Sequence, residues 1–276
     1  MTAGVTSPGS ASLEINVVSG QSAATSAYAS TPLKLLVPQA RGASVWAYLG
    51  SFGGGIVAGD QTAFDLRIGP GARGFVTTQG LTRIYRNPRG WPCTHRLNAV
   101  LGADSLLVLA PEPIQPFAGS AYTQRQAFHL QQGAGLVMLD WLCAGLAACG
   151  ERWKFSRVHS SNEVFLDGKR VLLDSLLLDQ AHGPLPSQHR LGRFNCLAFV
   201  VVIGDSLTAA SKSLLAAIDS RPVETRAPLL ISASPLRNGA LVRIAGDGVE
   251  TVGREIRRLL GFVPALLHDD PWSRKW

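Results

Sequence analysis

The sequence predicts an all-β dominated fold of stacked sheets, with two α-helices towards the C-terminus. Short apolar runs recur at a spacing of about eight to twelve residues, separated by turn signals, which is the rhythm of layered sheets and not of βαβ units. Several runs alternate apolar and polar residues at period two, as half-buried strands do; Phe64, Leu66 and Ile68 are one set. The 29 glycines and 16 prolines suit many turns and few helix interiors. At 276 residues the chain can bury a sizeable core. Residues 31–276 read as a single β-rich domain. The first thirty, rich in Ser, Ala, Thr and Gly, read as a flexible N-terminal segment with one candidate strand at Leu13, Ile15 and Val17.

Strand signals begin with Leu33–Val37 and Ser44–Leu49 around a loop at Pro38–Gly42. Thr62–Ile68 follows, ends at the turn Gly69-Pro70-Gly71, and a further strand runs through Phe75, Val76 and Thr77 towards Gln79. Leu81–Arg86 alternates until Asn87–Pro92 breaks it. Later candidates are His95–Val100, Ser105–Ala110, Gln126–Leu130 and Leu136–Leu139. Between Asp140 and Glu151 the pattern is mixed: Trp141, Leu142, Leu146 and Ala147 fit a short helix face that Gly145 and Gly150 weaken. Asp167-Gly168 has the chemistry of a hairpin turn between Val164–Leu166 and Arg170–Leu178. Ala181–Arg193 reads as a loop, and the continuously apolar Cys196–Ile203 as a strand buried on both faces. One predicted helix starts at a cap Asp205 and carries Leu207, Leu214, Leu215 and Ile218. The other has capping-box spacing at Asp247 and Glu250, carries Val252, Ile256, Leu259 and Leu260, and stops at Gly261 and Pro264. Leu229–Ser232 and Ala240–Ala245 are strands between them.

The stretch Ser51–Asp60 (SFGGGIVAGD) organises the chain, because glycines at 53, 54, 55 and 59 allow sharp turning and close packing. A dinucleotide fingerprint would need a helix after it, and here a strand follows; a P-loop would need Gly-Lys-Ser/Thr, which is absent. Read locally, it is a glycine-rich hairpin or bulge capped by Asp60.

The net charge of +7, from 26 basic and 19 acidic residues, points to acidic partners without choosing among protein, nucleic acid and lipid. Four cysteines do not make a disulfide framework, and no signal peptide or bilayer-length apolar run is present, so a soluble cytoplasmic protein is expected, without a membrane partner. No nucleophile-and-base or zincin motif appears, and no enzyme activity is expected. Cys93 and His95, two apart, would share one strand face and could share a metal; a loop cysteine and a strand-edge histidine is the plainer reading. Among acids, Asp60, Glu112 and Glu151 stand out. Glu112 sits in Pro111-Glu112-Pro113, whose rigid backbone would present it outward or into a channel, and Glu151 could cap a turn or pair with Arg152.

FGGGIVAGD, TTQGLTRIYR (Thr77–Arg86) and APEPIQPF (Ala110–Phe117), in this order, resemble the UreD/UreH-type urease accessory proteins. Gly145, Gly150, Glu151 and Trp153 are similar to that family's Gly-Arg-x-x-x-Gly-Glu-x-Trp pattern, with Leu146 where an arginine is usual; Pro271–Trp276 loosely resembles its basic, Trp-containing end. The resemblance implies stacked sheets with solenoid-like winding and a non-enzymatic scaffold for urease maturation. Its partners would be apo-urease subunits, a UreF-type adaptor and a UreG-type GTPase, with a homodimer within the complex. No cofactor would be held tightly; nickel would pass transiently along a water-filled path. Gly53, Gly54, Gly55, Gly59, Asp60, Thr78, Gln79, Tyr85, Glu112 and Glu151 are the scaffold or path candidates, and Cys93 with His95 the metal candidates. Weak oxygen ligands suit a protein that must release its metal. Two other classes compete. Tyr85-Arg86 and Arg89-Gly90-Trp91 with the basic balance would fit nucleic-acid binding, although the arginines form no dense patch. A hydrolase or isomerase acting in a β-solenoid cleft would need an acid–base pair, and none is recognisable.

Overall fold

The structure, a computed structural model, describes residues 9–39, 42–224 and 226–273. The first eight residues, Ala40 and Arg41 of the predicted loop, and the closing Arg274-Lys275-Trp276 lie outside the described residues. In chain order the strands begin with β1 (Gly9–Val18), β2 (Gln21–Ala29), β3 (Leu33–Leu36), β4 (Val45–Ser51) and β5 (Gly55–Ile56). Three-strand coils follow: β6 (Gln61–Ile68), β7 (Arg73–Thr78) and β8 (Thr82–Ile84), then β9 (Cys93–Leu101), β10 (Leu106–Leu109) and β11 (Ile114–Pro116). Next come β12 (Ala121–Leu130), β13 (Gly135–Cys143), β14 (Arg157–Leu166), β15 (Lys169–Asp179) and β16 (Cys196–Ile203). Helix α1 (Thr208–Asp219), β17 (Leu229–Leu236), β18 (Gly239–Gly246), α2 (Val249–Leu259) and α3 (Val263–Leu267) complete the chain.

The winding is that of a β-solenoid. β6, β9, β12 and β14 pair in parallel in a first sheet, β4, β7, β10 and β13 in a second, and β5, β8 and β11 form a short third facet. Each coil takes roughly 30 residues, a solenoid period. Antiparallel hairpins close the ends: β1 and β2 flank β6, β15 flanks β14, and β16, β18 and β17 extend the second sheet beyond β13.

The glycine-rich turns are corners between sheets. Gly69-Pro70-Gly71 leads from β6 in the first sheet to β7 in the second, and the corners above it repeat the device with Asp104 (φ 56°) and Gly133 (φ 75°). They stack through Gly71 N–H to the Ala103 carbonyl at 2.9 Å and Asp104 N–H to the Gln132 carbonyl at 3.1 Å. A Cβ on Gly133 would fall 2.0 Å from Asp104 Oδ1, so the stack excludes a side chain there. Asp167-Gly168 is the predicted hairpin turn.

Between the two sheets, Leu13, Phe64, Leu66 and Phe128 pack on Val76, Leu107, Leu136 and Met138; complete burial of each stabilises by about 1.5–3 kcal/mol. The other face of the second sheet is covered by the helices, with Leu214 and Ile218 of α1 and Val252, Ile256 and Leu259 of α2.

Several expectations are corrected. The N-terminal segment holds two strands over Gly9–Ala29; Leu13 and Ile15 are fully buried, because β1 supplies the inward residues that the exposed edge of β6 would lack. Asp140–Cys143 belongs to β13, and only Ala147–Cys149 forms a 3₁₀ turn, since pairing with β16 outweighs the weak helix pattern. Neither predicted acidic cap is used: α1 follows Leu207 and α2 follows Gly248 without a side-chain cap, and Asp205 accepts from Asn238 Nδ2 at 2.8 Å. Pro264 does not end the helical region. It sits in the first turn of α3, where a missing N–H costs nothing.

Candidate functional site

Parallel, in-register strands turn sequence into rows. On the inward face of the first sheet, Leu66, Ala99, Phe128 and Val164 make an apolar row. One step towards the third facet the row is Phe64, Leu97, Gln126 and Asn162, and the next is Thr62, His95, Gln124 and Ser160. The core is therefore dry at the corner end and polar in these two rows, before a further apolar cluster around Cys93, Tyr122, Trp153 and Phe155. Facing it from β13 is Asp140, buried in an otherwise apolar strand.

Buried polar groups are costly unless they find partners. Here they find each other. Asp140 Oδ2 accepts from Ser160 Oγ at 2.6 Å and Asn162 Nδ2 at 2.9 Å, and Oδ1 from Gln124 Nε2 at 3.1 Å. Gln126 Nε2 donates to Asn162 Oδ1 at 2.8 Å, and the Tyr122 hydroxyl to Gln124 Oε1 at 3.2 Å. Burial, followed by the charges of Asp140 and Cys93, raises the Tyr122 pKa, so the phenol keeps its proton. His95 Nδ1 lies 2.9 Å from Thr62 Oγ1, and burial pushes its pKa down to about 4, leaving a neutral imidazole at pH 7.

Part of this network lines a cavity of about 430 Å³ between the sheets, with Ser160 and Asn162 behind it. Its inner wall includes His95, Tyr122, Gln124, Gln126 and Asp140. The outer wall is the glycine loop at Phe52–Gly54, the Thr78–Arg83 segment and Glu112. Thr78 ties the last two together, accepting from Glu112 N–H at 2.8 Å and donating to the Gly80 carbonyl at 2.9 Å. Trp141 Nε1 holds the Pro111 carbonyl at 2.8 Å.

The predicted residues divide accordingly. Gly53, Gly54, Thr78, Gln79, Glu112 and His95 line the cavity. Gly55, Tyr85, Gly59, Asp60, Cys93 and Glu151 stand outside its lining. Tyr85 covers the glycines: its hydroxyl donates to the Gly53 carbonyl at 3.4 Å, and a Cβ on Gly55 would meet its ring at 2.6 Å. Gly59, at φ 87°, donates its N–H to the Trp91 carbonyl at 3.2 Å. Asp60 Oδ2 accepts from Val57 N–H at 2.9 Å, the capped turn of the local reading. Glu151 pairs with Arg86 at 3.4 Å and not with Arg152, which turns instead to Asn195 and the Gly192 and Phe194 carbonyls.

Cys93 and His95 share a strand, but Cys93 is fully buried and donates to the Val57 carbonyl at 3.1 Å. Burial pushes its thiol up to about 11, away from the thiolate a metal would need. Among the described residues no group of three or more His, Cys, Asp or Glu side chains is placed to hold a metal ion. Nor is any helix among them long and apolar enough to cross a membrane.

Sequence reasoning missed the network. Asp140 was legible as a lone acid inside the apolar run Leu136–Cys143, and Gln124 and Gln126 as polar residues on both sides of Arg125 in a strand.

A family model described as UreD urease accessory protein matches residues 7–276. The chain is 44% identical over 269 residues to "Urease accessory protein UreD" of Sorangium cellulosum (strain So ce56), covering 97% of this chain and 84% of that one. It is 41% identical over 266 residues to "Urease accessory protein UreD" of Anaeromyxobacter sp. (strain Fw109-5), covering 96% and 89%. It is 30% identical over 289 residues to "Urease accessory protein D" of Arabidopsis thaliana, covering 94% and 98%.

Proposed function

The chain belongs to the UreD urease accessory protein family, and from that premise we propose that it is a scaffold that assists nickel insertion into apo-urease. Its family places it in urease maturation. In the proposed role it makes no bonds of its own; it bridges apo-urease to a UreF-type adaptor and a UreG-type GTPase in the cytoplasm, as a homodimer within the complex. Nickel is the cargo, held transiently as it passes, and no resident cofactor takes part.

One observation supports the path above all: a cavity of about 430 Å³ with a hydrogen-bonded polar wall, in the part of the solenoid where a dry core would be expected. A hydrated dication cannot cross an apolar core, because its desolvation would cost tens of kcal/mol. A wall of amide, hydroxyl and carboxylate groups replaces part of its water, and such oxygen groups hold nickel more weakly than thiolates or several imidazoles would. Asp140 supplies the negative charge, and neutral His95 adds no repulsion. Glu112, beside the mouth, draws cations towards it.

The test is reconstitution. Purified apo-urease, adaptor, GTPase, GTP and nickel are mixed with or without this chain, and urease activity and enzyme-bound nickel are measured. Activation that is equal without the chain sinks the proposal. So does failure of the tagged chain to capture apo-urease and the adaptor.

A further inference from the structure

The hydrogen bonds of the cavity wall fix which atoms stay bare, and so what the wall can hold. Thr62 Oγ1 touches two groups, the Thr94 carbonyl at 3.1 Å and His95 Nδ1 at 2.9 Å. A hydroxyl has one hydrogen, and a carbonyl can only accept, so that hydrogen goes to Thr94. The reverse assignment would set two oxygen lone pairs against each other with no hydrogen between them. His95 Nδ1 therefore carries the imidazole proton and donates it to Thr62. The free lone pair is left on Nε2, which has no hydrogen-bond partner among the described residues, on a ring that lines the cavity.

The same reasoning orients the amides. Asp140 accepts from three donors, as a carboxylate does. Asn162 must turn Nδ2 towards it, which leaves Asn162 Oδ1 to accept from Gln126 Nε2 at 2.8 Å. Gln126 is thereby held with Oε1 bare, and its side chain also lines the cavity. Gln124 directs Nε2 at Asp140 Oδ1 and Ser160 Oγ, while its Oε1 takes the Tyr122 hydroxyl. One buried acid thus sets the polarity of the wall, and two bare acceptors face the cavity: an imidazole nitrogen and an amide oxygen. They sit on neighbouring strands, for His95 pairs with Gln124 in register and Gln126 is the next inward residue along β12.

We infer that His95 Nε2 is the nitrogen ligand of the path, replacing one water of a hydrated nickel ion, while Gln126 Oε1 and Asp140 accept hydrogen bonds from the waters that remain. This rests on the path reading above and adds selectivity to it. Oxygen groups alone suit magnesium, calcium and manganese, whereas an imidazole nitrogen favours nickel over all three. A neutral ring whose lone pair already faces the cavity needs no proton removed before it binds. With no group of three or more His, Cys, Asp or Glu placed to hold a metal among the described residues, the ion is filtered and not kept.

The test is nitrogen NMR of the purified chain at pH 7, with its histidines labelled with a heavy nitrogen isotope; His95→Asn, which keeps an N–H for Thr62 and loses the second ring nitrogen, identifies the His95 signals. Before metal is added, His95 is expected to show a protonated Nδ1 and a bare Nε2. Nickel chloride, which is paramagnetic, should broaden the His95 signals at about one tenth of the concentration needed for the exposed His182, His189 and His268. Gln126→Met should raise that concentration about tenfold, with melting curves to check that the variant folds. Magnesium chloride in large excess should not reverse the broadening. A proton on Nε2 overturns the inference, as does broadening of His95 no earlier than the exposed histidines, or its reversal by magnesium. If nickel leaves His95 untouched while Asp140→Asn still slows urease activation, the path stands without this ligand; if neither responds, the path reading falls as well.

Discussion

Ser160 Oγ donates to Asp140 Oδ2 at 2.6 Å, across the gap between two sheets whose shared core is mostly apolar. That bond joins β14 to β13 where the core turns polar. It holds the carboxylate in place with Asn162 and Gln124, so the cavity wall carries a fixed negative charge and not a mobile one. A fixed charge lowers the energy of a passing cation without wrapping it.

Asp140→Asn keeps the volume and removes the charge. It is expected to leave capture of apo-urease and adaptor unchanged and to slow urease activation about tenfold, equivalent to about 1.4 kcal/mol of lost cation stabilisation. Ser160 and Asn162 lose a charged acceptor, so stability falls by about 1–3 kcal/mol. Activation kinetics with limiting nickel, beside a chemical melt, separate the two effects. Full-rate activation would remove Asp140 from the path.

The glycines of the loop are not equivalent. Gly54 has φ 73° with no heavy atom nearer than 3.6 Å to an added Cβ, so Gly54→Ala costs about 1 kcal/mol of backbone strain. Gly55 would place its Cβ 2.6 Å from the Tyr85 ring and 2.7 Å from the Arg83 carbonyl oxygen, and backbone cannot step aside. Gly55→Ala is expected to cost about 1–3 kcal/mol and to push Tyr85 off the loop. Thermal melts should rank Gly55→Ala as the less stable of the two.

His95 makes stability depend on pH. Its folded pKa of about 4 lies below the ordinary histidine value of 6.5, so between these values the unfolded chain binds the extra proton. Stability therefore rises with pH across that window and is lost as pH falls from 6.5 towards 4, by up to about 3 kcal/mol. Urea melts at pH 7 and pH 4.5 should show a smaller difference for His95→Gln than for wild type. An unchanged difference would assign the acid sensitivity elsewhere.

Fold class was legible because period-two alternation and turn chemistry are local. Strand direction was not. Gly69-Pro70-Gly71 reads the same whether it closes a hairpin or turns a solenoid corner, and only its stacking on the next corner, through Gly71 N–H to the Ala103 carbonyl, decides. The glycine loop marked the mouth of the cavity because close backbone approach needs glycine. Its inner wall is assembled from β9, β12 and β13 and backed by β14, strands far apart in sequence, so no motif spacing records it. Asp60 and Glu151 stood out as isolated acids, yet the structure gives each a local partner, Val57 N–H and Arg86.

Thiol chemistry should reflect burial. Cys149 is exposed, whereas Cys93, Cys143 and Cys196 are buried, and burial raises the pKa of all three. Iodoacetamide at pH 7 is expected to add one label per native chain, on Cys149, and to reach the other three only after unfolding. Peptide mapping that finds Cys93 labelled at the rate of Cys149 would mean that the turn over it opens.

The N-terminal strand gives the sharpest contrast between composition and packing. Residues Gly9–Ala29 look like a linker by their Ser, Ala and Thr content, yet β1 pairs in parallel with β6 from Gly9 to Ile15 and sends Leu13 and Ile15 into the core. A Cβ on Gly74 of β7 would come within 2.8 Å of Ile15 Cδ1, so the segment packs on the second sheet with no room to spare. Leu13→Ala should therefore behave as a core substitution and lose about 2–5 kcal/mol. Ser12→Ala, outward on the same strand, should change stability by less than about 0.5 kcal/mol. Urea denaturation of both variants decides between the readings: a dispensable tail would make them equal, and a strand that completes the solenoid core would separate them.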